Sequence, residues 1–358
     1  MARIIYAVAG EGFGHSSRSH TIANHLIAQG HELIFAASNK SYQYLSQYFG
    51  DRVHEVFGLS FYYRNGNIQP VKTFFANMAR LPIGNRINKP LFNSVYKSFA
   101  PDLVISDFEP FSAWWAWRKK IPFVSIDHEH LLSHCSLDPI KANTIAKLNA
   151  QVVTRLYYFK AAAYIVINFF DAPVKNPRVI LCPPVIRKVV EECKPSEQNH
   201  IVLYSTTGKR CDEIISTLNR FQQHQFYLYG FDSKNSVRGN CTLKPRSTEA
   251  FLADLAASKG VIASSGFSLL SECLYLRKKM LLLPVAGQFE QILNAEYAQK
   301  LGLARKAEAV TDASVADFLD FLERKEPEGE GVLWPDNARA LDIIDSTLSK
   351  IGIKPVTK

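Results

Sequence analysis

Two stretches of this chain hold residues whose types and spacing could do chemistry: "GEGFGHSSR" (Gly10–Arg18) and "SSGFSLLSECLY" (Ser264–Tyr275). In the first, Gly10, Gly12 and Gly14 permit a tight turn with close backbone approach, and they lead into His15. An imidazole near its ordinary pKa of about 6.5 can take up a proton at neutral pH. In the second, a helix opening at Gly266 presents the free backbone N–H groups of Phe267 and Ser268 to an anion. Glu272, a turn further along that helix, is suited to a ribose diol. The following loop, "VAGQFEQ" (Val285–Gln291), supplies Gln288, Glu290 and Gln291, the amides and carboxylate that hydroxyl-rich ligands need. Phosphate, ribose and sugar are each offered a partner.

The elements that must position these residues alternate. "RIIYAV" (Arg3–Val8) suits a strand buried on both faces. Ser16 or Ser17 is expected to cap a helix with Ile22, Ala23, Leu26 and Ile27 on one face, ended by Gly30, and "ELIFAAS" follows as a second strand. This opens a Rossmann-like domain, but not a dinucleotide site. His15 stands where the third glycine of that fingerprint belongs, and the second strand ends in Ala37, Ser38 and Asn39 without an acid. Residues 59–99 are less regular, with two helices expected at "VKTFFANMARL" and "LFNSVYKSF". Strands "DLVISD", "PFVSIDH" and "AYIVINF" then alternate with helices "PFSAWWAWRKK" and "ANTIAKLNAQVVTRLYYFKA". A second alternation runs through "HIVLYS", "QFYLYGF", "GVIAS" and "KMLLLPV". The expected fold is α/β, with two Rossmann-like βαβ domains facing across a cleft. We place them at 1–186 and 200–330, with a charged linker at 187–199 and a C-terminal helix at 331–358 packing back on the first domain.

A chain of 358 residues is too long for one ordinary core, which agrees with two domains. The N-terminal apolar run is too short for a signal peptide, and no stretch is long enough to span a bilayer. Six scattered cysteines fit free thiols in a reducing compartment, so a cytoplasmic location is expected. The net charge of +9 is read as solubility, anionic substrates or an anionic membrane surface. No basic-aromatic motif recurs, so no nucleic acid partner is expected. "WWAWRKK" (Trp114–Lys120) with "FYYRN" (Phe61–Asn65) is a candidate peripheral membrane contact, at the inner face of the cell membrane. "DHEHLLSH" departs from the zinc-protease pattern because Leu132 stands where the second histidine belongs. We expect no metal there, and place His128 and His130 on the acceptor side of a cleft.

The stretch Val261–Ala304 resembles the donor-sugar motif of the two-domain, GT-B fold nucleotide-sugar glycosyltransferases. It has a small-residue strand, Gly266, Ser268, Glu272, a strand ending at Pro284, Gln288 with Glu290 and Gln291, then Asn294-Ala295. That group includes the enzyme that adds N-acetylglucosamine to lipid I and the plant UDP-glucosyltransferases. "DLVISDFEPFSAWWAWRKKIPFVSIDHEH" (Asp102–His130) closely resembles a bacterial and archaeal subfamily. The resemblance implies sugar transfer from a nucleotide sugar, expected to be UDP-linked, to the hydroxyl of a glycan, lipid-linked or small-molecule acceptor in envelope synthesis. It also implies His15 as the base and Asp107 as the residue that orients it. Donor-binding residues are expected at Gly208, Lys209, Phe251, Gly266, Phe267, Ser268, Glu272, Gln288, Glu290 and Gln291. Gly12, Gly14, Glu109, His128 and His130 are expected on the acceptor side. Retaining members carry a second Glu where Ser264 stands, so inversion is expected. With no Asp-x-Asp motif, no metal cofactor is expected, and helix N-termini with Lys209 would stabilise the leaving group. "STTGKRCDE" is similar to a loop of the related 2-epimerases, but their arginine-containing donor loop is missing. The alternative from another class is a non-catalytic nucleotide-sugar binder.

Overall fold

The β-branched and small apolar residues of β1 (Arg3–Val8) and β2 (Glu32–Ala37) make strands whose C-terminal halves are wholly buried. In this computed structural model they belong to a seven-stranded sheet with β3 (Val53–Glu55), β4 (Leu103–Asp107), β5 (Phe123–Asp127), β6 (Ala163–Ile167) and β7 (Val179–Cys182). The order is β3-β2-β1-β4-β5-β6-β7, and every pairing is parallel. The chain winds outward from β1 to β3 and then returns to the other flank of β1. The strand order therefore reverses between β1 and β4, the place where open α/β sheets bind ligands beyond their strand ends. The register sets Val8 beside Asp107 at that point.

Helix α1 (Gly14–Ala28) begins earlier than expected, and neither Ser16 nor Ser17 caps it. The turn residue Phe13 already has near-helical backbone angles, so both serines fall inside the first turn. Their hydroxyls donate to the carbonyls of Phe13 and Gly14 instead, at 3.2 and 3.1 Å. After α2 (Asn39–Phe49), a single helix, α3 (Pro70–Leu91), continues through a wider turn at Phe92–Tyr96 to Phe99, where two helices were expected. Pro82 and Pro90 do not stop it, because polar side chains tie its inner face to an extended segment. Asn77 clamps both backbone groups of Ser60, Asn88 clamps those of Phe57, and Thr73 accepts from the N–H of Tyr62. The structure describes residues 1–355 except 61, 65–66, 141–146, 149–150, 153, 156–159, 207, 232–233, 246 and 325–328. Most of the helix expected at "ANTIAKLNAQVVTRLYYFKA" lies outside the described residues.

The second sheet also has seven strands: β8 (His200–Tyr204), β9 (Gln225–Tyr229), β10 (Ser236–Arg238), β11 (Cys241–Leu243), β12 (Gly260–Ala263), β13 (Met280–Leu282) and β14 (Ala304–Lys306). Its order is β10-β11-β9-β8-β12-β13-β14, parallel except for the edge pair β10–β11. The reversal here falls between β8 and β12. Leu203, Phe226, Leu228, Ile262, Leu281 and Phe318 anchor the core. Gly230 must lack a side chain, since a Cβ there would lie 1.9 Å from the carbonyl oxygen of Ser205.

By internal contacts the chain forms two units. One comprises Met1–Arg64, Ile68–Arg187 and Asp336–Lys358, and the other is centred on Lys188–Pro335. Residues 188–199, read from sequence within a linker, are stitched to the second unit. Val190 is fully buried, Ser196 and Gln198 donate to the carbonyls of Ala256 and Ala257, and Lys278 donates to that of Ser196 at 2.6 Å. A short helix, α5 (Lys188–Glu191), and backbone bonds hold the segment in place, while the charged side chains that marked it as a linker stay exposed. The last long helix, Asn337–Lys350, belongs to the first unit, where Asn337 clamps the backbone of Ile186 and Asp345 meets His25 at 2.9 Å.

Candidate active site

His15 is the second residue of α1, and Asp107 is the last of β4. The strand reversal joins them across 92 residues, with Nδ1 of His15 2.7 Å from Oδ1 of Asp107. Gly10 has a packing reason, because a Cβ there would meet Ser38 at 2.5 Å, while Gly12 turns the chain at φ 76° in open space. Gly14 is simply the first helical residue. Immediately after Asp107 the backbone of Phe108 enters the left-handed region at φ 56°, a strained conformation for a bulky residue. Its ring lies nearly parallel to His15, 13° between planes.

Arg18, one turn along α1 and absent from the sequence-derived site, completes the arrangement. Its Nε and Nη2 donate to the two carboxylate oxygens of Asp107 at 2.7 and 2.5 Å, and Ser19 donates to the same carboxylate at 3.0 Å. Arg18 is 6% exposed and Asp107 is fully buried, so this is a desolvated, two-point ion pair. The second residue that sequence reading passed over is Glu129. Its carboxylate lies 3.4 Å from Nε2 of His15 and 3.5 Å from Nη2 of Arg18. With Nδ1 donating to Asp107, the imidazole turns Nε2 toward Glu129, and these two side chains keep 13% and 15% exposure. Signals for both were present in the chain. Arg18 shares a helix face with buried Ile22, so its charge needed a partner, and Glu129 sits inside the histidine-rich "DHEH".

Three of the residues expected on the acceptor side are structural. Glu109 is 1% exposed and caps α4 (Pro110–Lys119), accepting from the N–H groups of Phe111 and Ser112 at 2.9 and 2.8 Å. His128 donates to the carbonyl of Ile167 at 2.8 Å, and His130 lies against Asp127 at 2.7 Å, with Ser125 donating to the same aspartate. Both histidines are 1% exposed. They hold the loop after β5 so that Glu129, between them, reaches His15. His134 beside them is pushed down to about 4, chiefly by burial, which keeps it neutral.

Burial works against a charged His15, but Glu129 and Asp107 outweigh it and hold the imidazole above its ordinary value. Asp107 is held below the usual carboxylate range: burial raises it, and Arg18 with His15 more than reverses that. A pH consequence follows. Only the neutral ring can accept a proton, so kcat/KM should rise with pH along a limb centred above the ordinary histidine value. Glu129→Gln removes a raising charge and should move that limb to lower pH. A limb that stays in place in the variant would separate Glu129 from the titration.

His15, Asp107 and Glu129 together resemble a cation site, with one ligand atom from each within 4.8 Å of the others. A cation already stands among them. Nη2 of Arg18 is 2.5 Å from Asp107, 2.9 Å from Nδ1 of His15 and 3.5 Å from Glu129. A divalent ion would have to displace a buried guanidinium, so these residues do not fit a metal.

In the second unit the expected donor residues gather at the ends of three adjacent strands. Gly208 and Lys209 follow β8, and the Gly208 N–H donates to Ser205 at 3.0 Å. Gly266 is the N-cap of α6 (Phe267–Tyr275), and a Cβ there would meet nothing within 4 Å. The Thr206 and Ser264 hydroxyls join the two loops at 3.1 Å. After β13, Gln288 stands at the N-cap position of α7 (Phe289–Lys300) without a side-chain capping bond, and Glu290 lies in the first turn. Glu272 is 6% exposed on α6, Phe267 is 7% exposed, and Ser268 is half-buried. Phe251 packs between Tyr204 and Tyr229, at 5.2 and 5.1 Å. Gln291, expected at the sugar, is occupied within the loop: its Oε1 accepts from Val285 and its Nε2 donates to Gln288.

Glu272→Ala should weaken UDP binding by about 1.5–3 kcal/mol, the scale for hydrogen bonds to a charged group. Calorimetry measures it, and unchanged affinity in a folded variant would remove Glu272 from the site.

Residues 2–323 match glycosyl transferase family 1. An uncharacterized glycosyltransferase of Methanosarcina mazei is 24% identical over 329 residues, 85% of each chain. Among solved structures, LpCGTa in complex with UDP is similar with a TM-score of 0.65 at 12% identity, covering 98% of this chain and 99% of that one. Phytolacca americana UGT2, complexed with UDP-2fluoro-glucose and pterostilbene, gives 0.63 at 13% identity, covering 96% and 99%. At such identities these two likenesses speak for the fold: two Rossmann-like units of the GT-B type. The family match extends over nearly the whole chain, through both strand reversals and the residues gathered at them, and the chain therefore belongs to glycosyl transferase family 1.

Proposed function

We propose that this chain moves a sugar from a UDP-sugar to an acceptor hydroxyl, with inversion and without a metal ion. The observation that carries the reading is His15, fixed on Nδ1 by a buried carboxylate and aimed through Nε2 at a partly exposed carboxylate. The second unit takes the donor at the open N-terminus of α6, where backbone N–H groups and the exposed Lys209 face a diphosphate. In the first unit the acceptor hydroxyl hydrogen-bonds to Nε2. Its oxygen attacks the anomeric carbon, the bond from that carbon to the diphosphate oxygen breaks, the hydroxyl proton passes to Nε2, and UDP leaves. Asp107 stabilises the imidazolium, and Arg18 keeps Asp107 ionised throughout.

Relatives of the fold solved with UDP and a fluorinated UDP-glucose support the choice of nucleotide. Ser264, where a retaining enzyme of the resembled group has Glu, supports inversion. The acceptor belongs to the class of glycans, lipid-linked sugars and small hydroxyl compounds, and we place the reaction in envelope synthesis on the cytoplasmic side.

The test is turnover of UDP-sugars in excess EDTA, with UDP release measured and the product anomer read by proton NMR. We expect release to persist in chelator and the anomeric configuration to be opposite to the donor's. Loss of activity restored by magnesium or manganese would overturn the metal-free step, and a retained anomer would overturn the displacement. UDP-sugar binding without UDP release from any acceptor extract would leave a binding protein.

A further inference from the structure

From residue 56 to residue 101 the chain contains no Asp or Glu, while Arg64, Lys72, Arg80, Arg86, Lys89 and Lys97 fall within it. Most of this stretch is α3 and the segment clamped beneath it. The inner face of the helix carries buried Leu81, and Gly84 packed toward Phe57 and Phe111, as a surface helix ordinarily does, but polar clamps share that face and apolar residues are left outside. Its buried positions include Thr73, Asn77 and Asn88, whose side chains grip backbone groups of residues 57–62. Its outward positions include Phe75, Ile83 and Ile87, exposed by 65%, 53% and 53%. With Ala79 these recur every four residues, so they form one continuous ridge along the outer face. Exposed Lys72, Arg86 and Lys89 flank the ridge.

We propose that this outward face of α3 docks, parallel to the surface, on a membrane containing anionic lipid. An apolar ridge bordered by cations, with no acid nearby in the chain, matches the boundary between acyl chains and anionic headgroups. A second copy fits less well, because a two-fold contact through this helix would bring like charges together. The arrangement suits lying on a membrane and not crossing one, since no helix among the described residues is long and apolar enough to span. The aromatic patch expected at Trp114–Lys120 contributes less than its sequence suggests. Trp115 is 8% exposed against Phe92 and Tyr96, and Trp114 is half-buried. Trp117 alone of the three is outward, with Arg118, Lys119 and Lys120 exposed after it. Of its companion stretch Phe61–Asn65, Phe61 and Asn65 lie outside the described residues.

The inference does not rest on the donor or the base. Its test is flotation of the full chain with phosphatidylcholine vesicles, with and without phosphatidylglycerol. We expect flotation with the anionic vesicles only, abolished by high salt. Ile83→Ser with Ile87→Ser should lower partitioning about tenfold or more. Arg86→Glu with Lys89→Glu should do the same, since each basic residue near an anionic surface is worth about a fivefold change in affinity. These side chains are exposed, so the variants should fold, and the circular dichroism spectrum checks that. Equal flotation with both vesicle types, no flotation with either, or variants that float like the parent would overturn the proposal. So would a dimer, by analytical ultracentrifugation, that the double Ser variant dissociates, which would make this face an interface between copies.

Discussion

Replacing His15 by alanine is expected to lower the rate of sugar transfer by about 10²–10⁴, the span for loss of a general base. UDP affinity should hardly change, because the residues proposed to bind the donor lie in the other unit. The geometry makes the expectation specific. Nδ1 is committed to Asp107 at 2.7 Å, so only Nε2 can take the proton. Asp107→Asn should slow transfer less than His15→Ala if the fold survives, because the aspartate orients the ring and accepts no proton. Transfer rates and calorimetry with UDP, side by side, separate the outcomes. A fully active His15→Ala would return this histidine to packing. Equal loss of rate and UDP affinity would point to a folding defect.

Arg18→Ala is expected to give the largest loss of stability of any single substitution at the site, about 3–5 kcal/mol. The reason is what the substitution leaves behind. Asp107 is fully buried, and without the guanidinium its carboxylate must stay charged beside only His15 and Ser19, or take up a proton. Arg18→Lys keeps the charge but not the two-point fork, so an intermediate loss is expected. The pH dependence has a definite sign. Because Asp107 is held below the ordinary carboxylate range in the folded chain, its stabilising contribution is present at neutral pH. It is lost as pH falls through that lowered value. Urea denaturation of the parent and both variants at neutral and acid pH measures all of this. If Arg18→Ala unfolds within about 0.5 kcal/mol of the parent, the guanidinium is not the buried partner of Asp107.

Glu109 shows a local signal that was legible and was misassigned. An acid followed by proline at the first helical position reads as a helix cap, and the structure uses it so. Gln291, read as a sugar contact because an amide in a mouth loop suits one, spans its own loop here, accepting from Val285 and donating to Gln288. In α3 apolar residues fall on both faces, Leu81 inward and Phe75, Ile83 and Ile87 outward, and apolar spacing alone does not say which face of a helix is inward. Asparagine clamps onto a distant segment decided that.

By itself the sequence determined the alternation of buried strands and helices, the two sheets it winds into, and the turns that end at His15 and Gly266. Each of these depends on residues a few positions apart, whose spacing and backbone preferences act locally. The pairing of His15 with Asp107 entered through resemblance to a known group, and the register of β1 with β4 supplies its physical cause. Only the tertiary structure decided that Arg18 stands among His15, Asp107 and Glu129, and that Glu129, rather than its two histidine neighbours, faces Nε2 of His15. Burying a charge is unfavourable unless a partner arrives, and these partners come from a strand end and a loop 89 residues or more away along the chain, joined only when the sheet reverses its order.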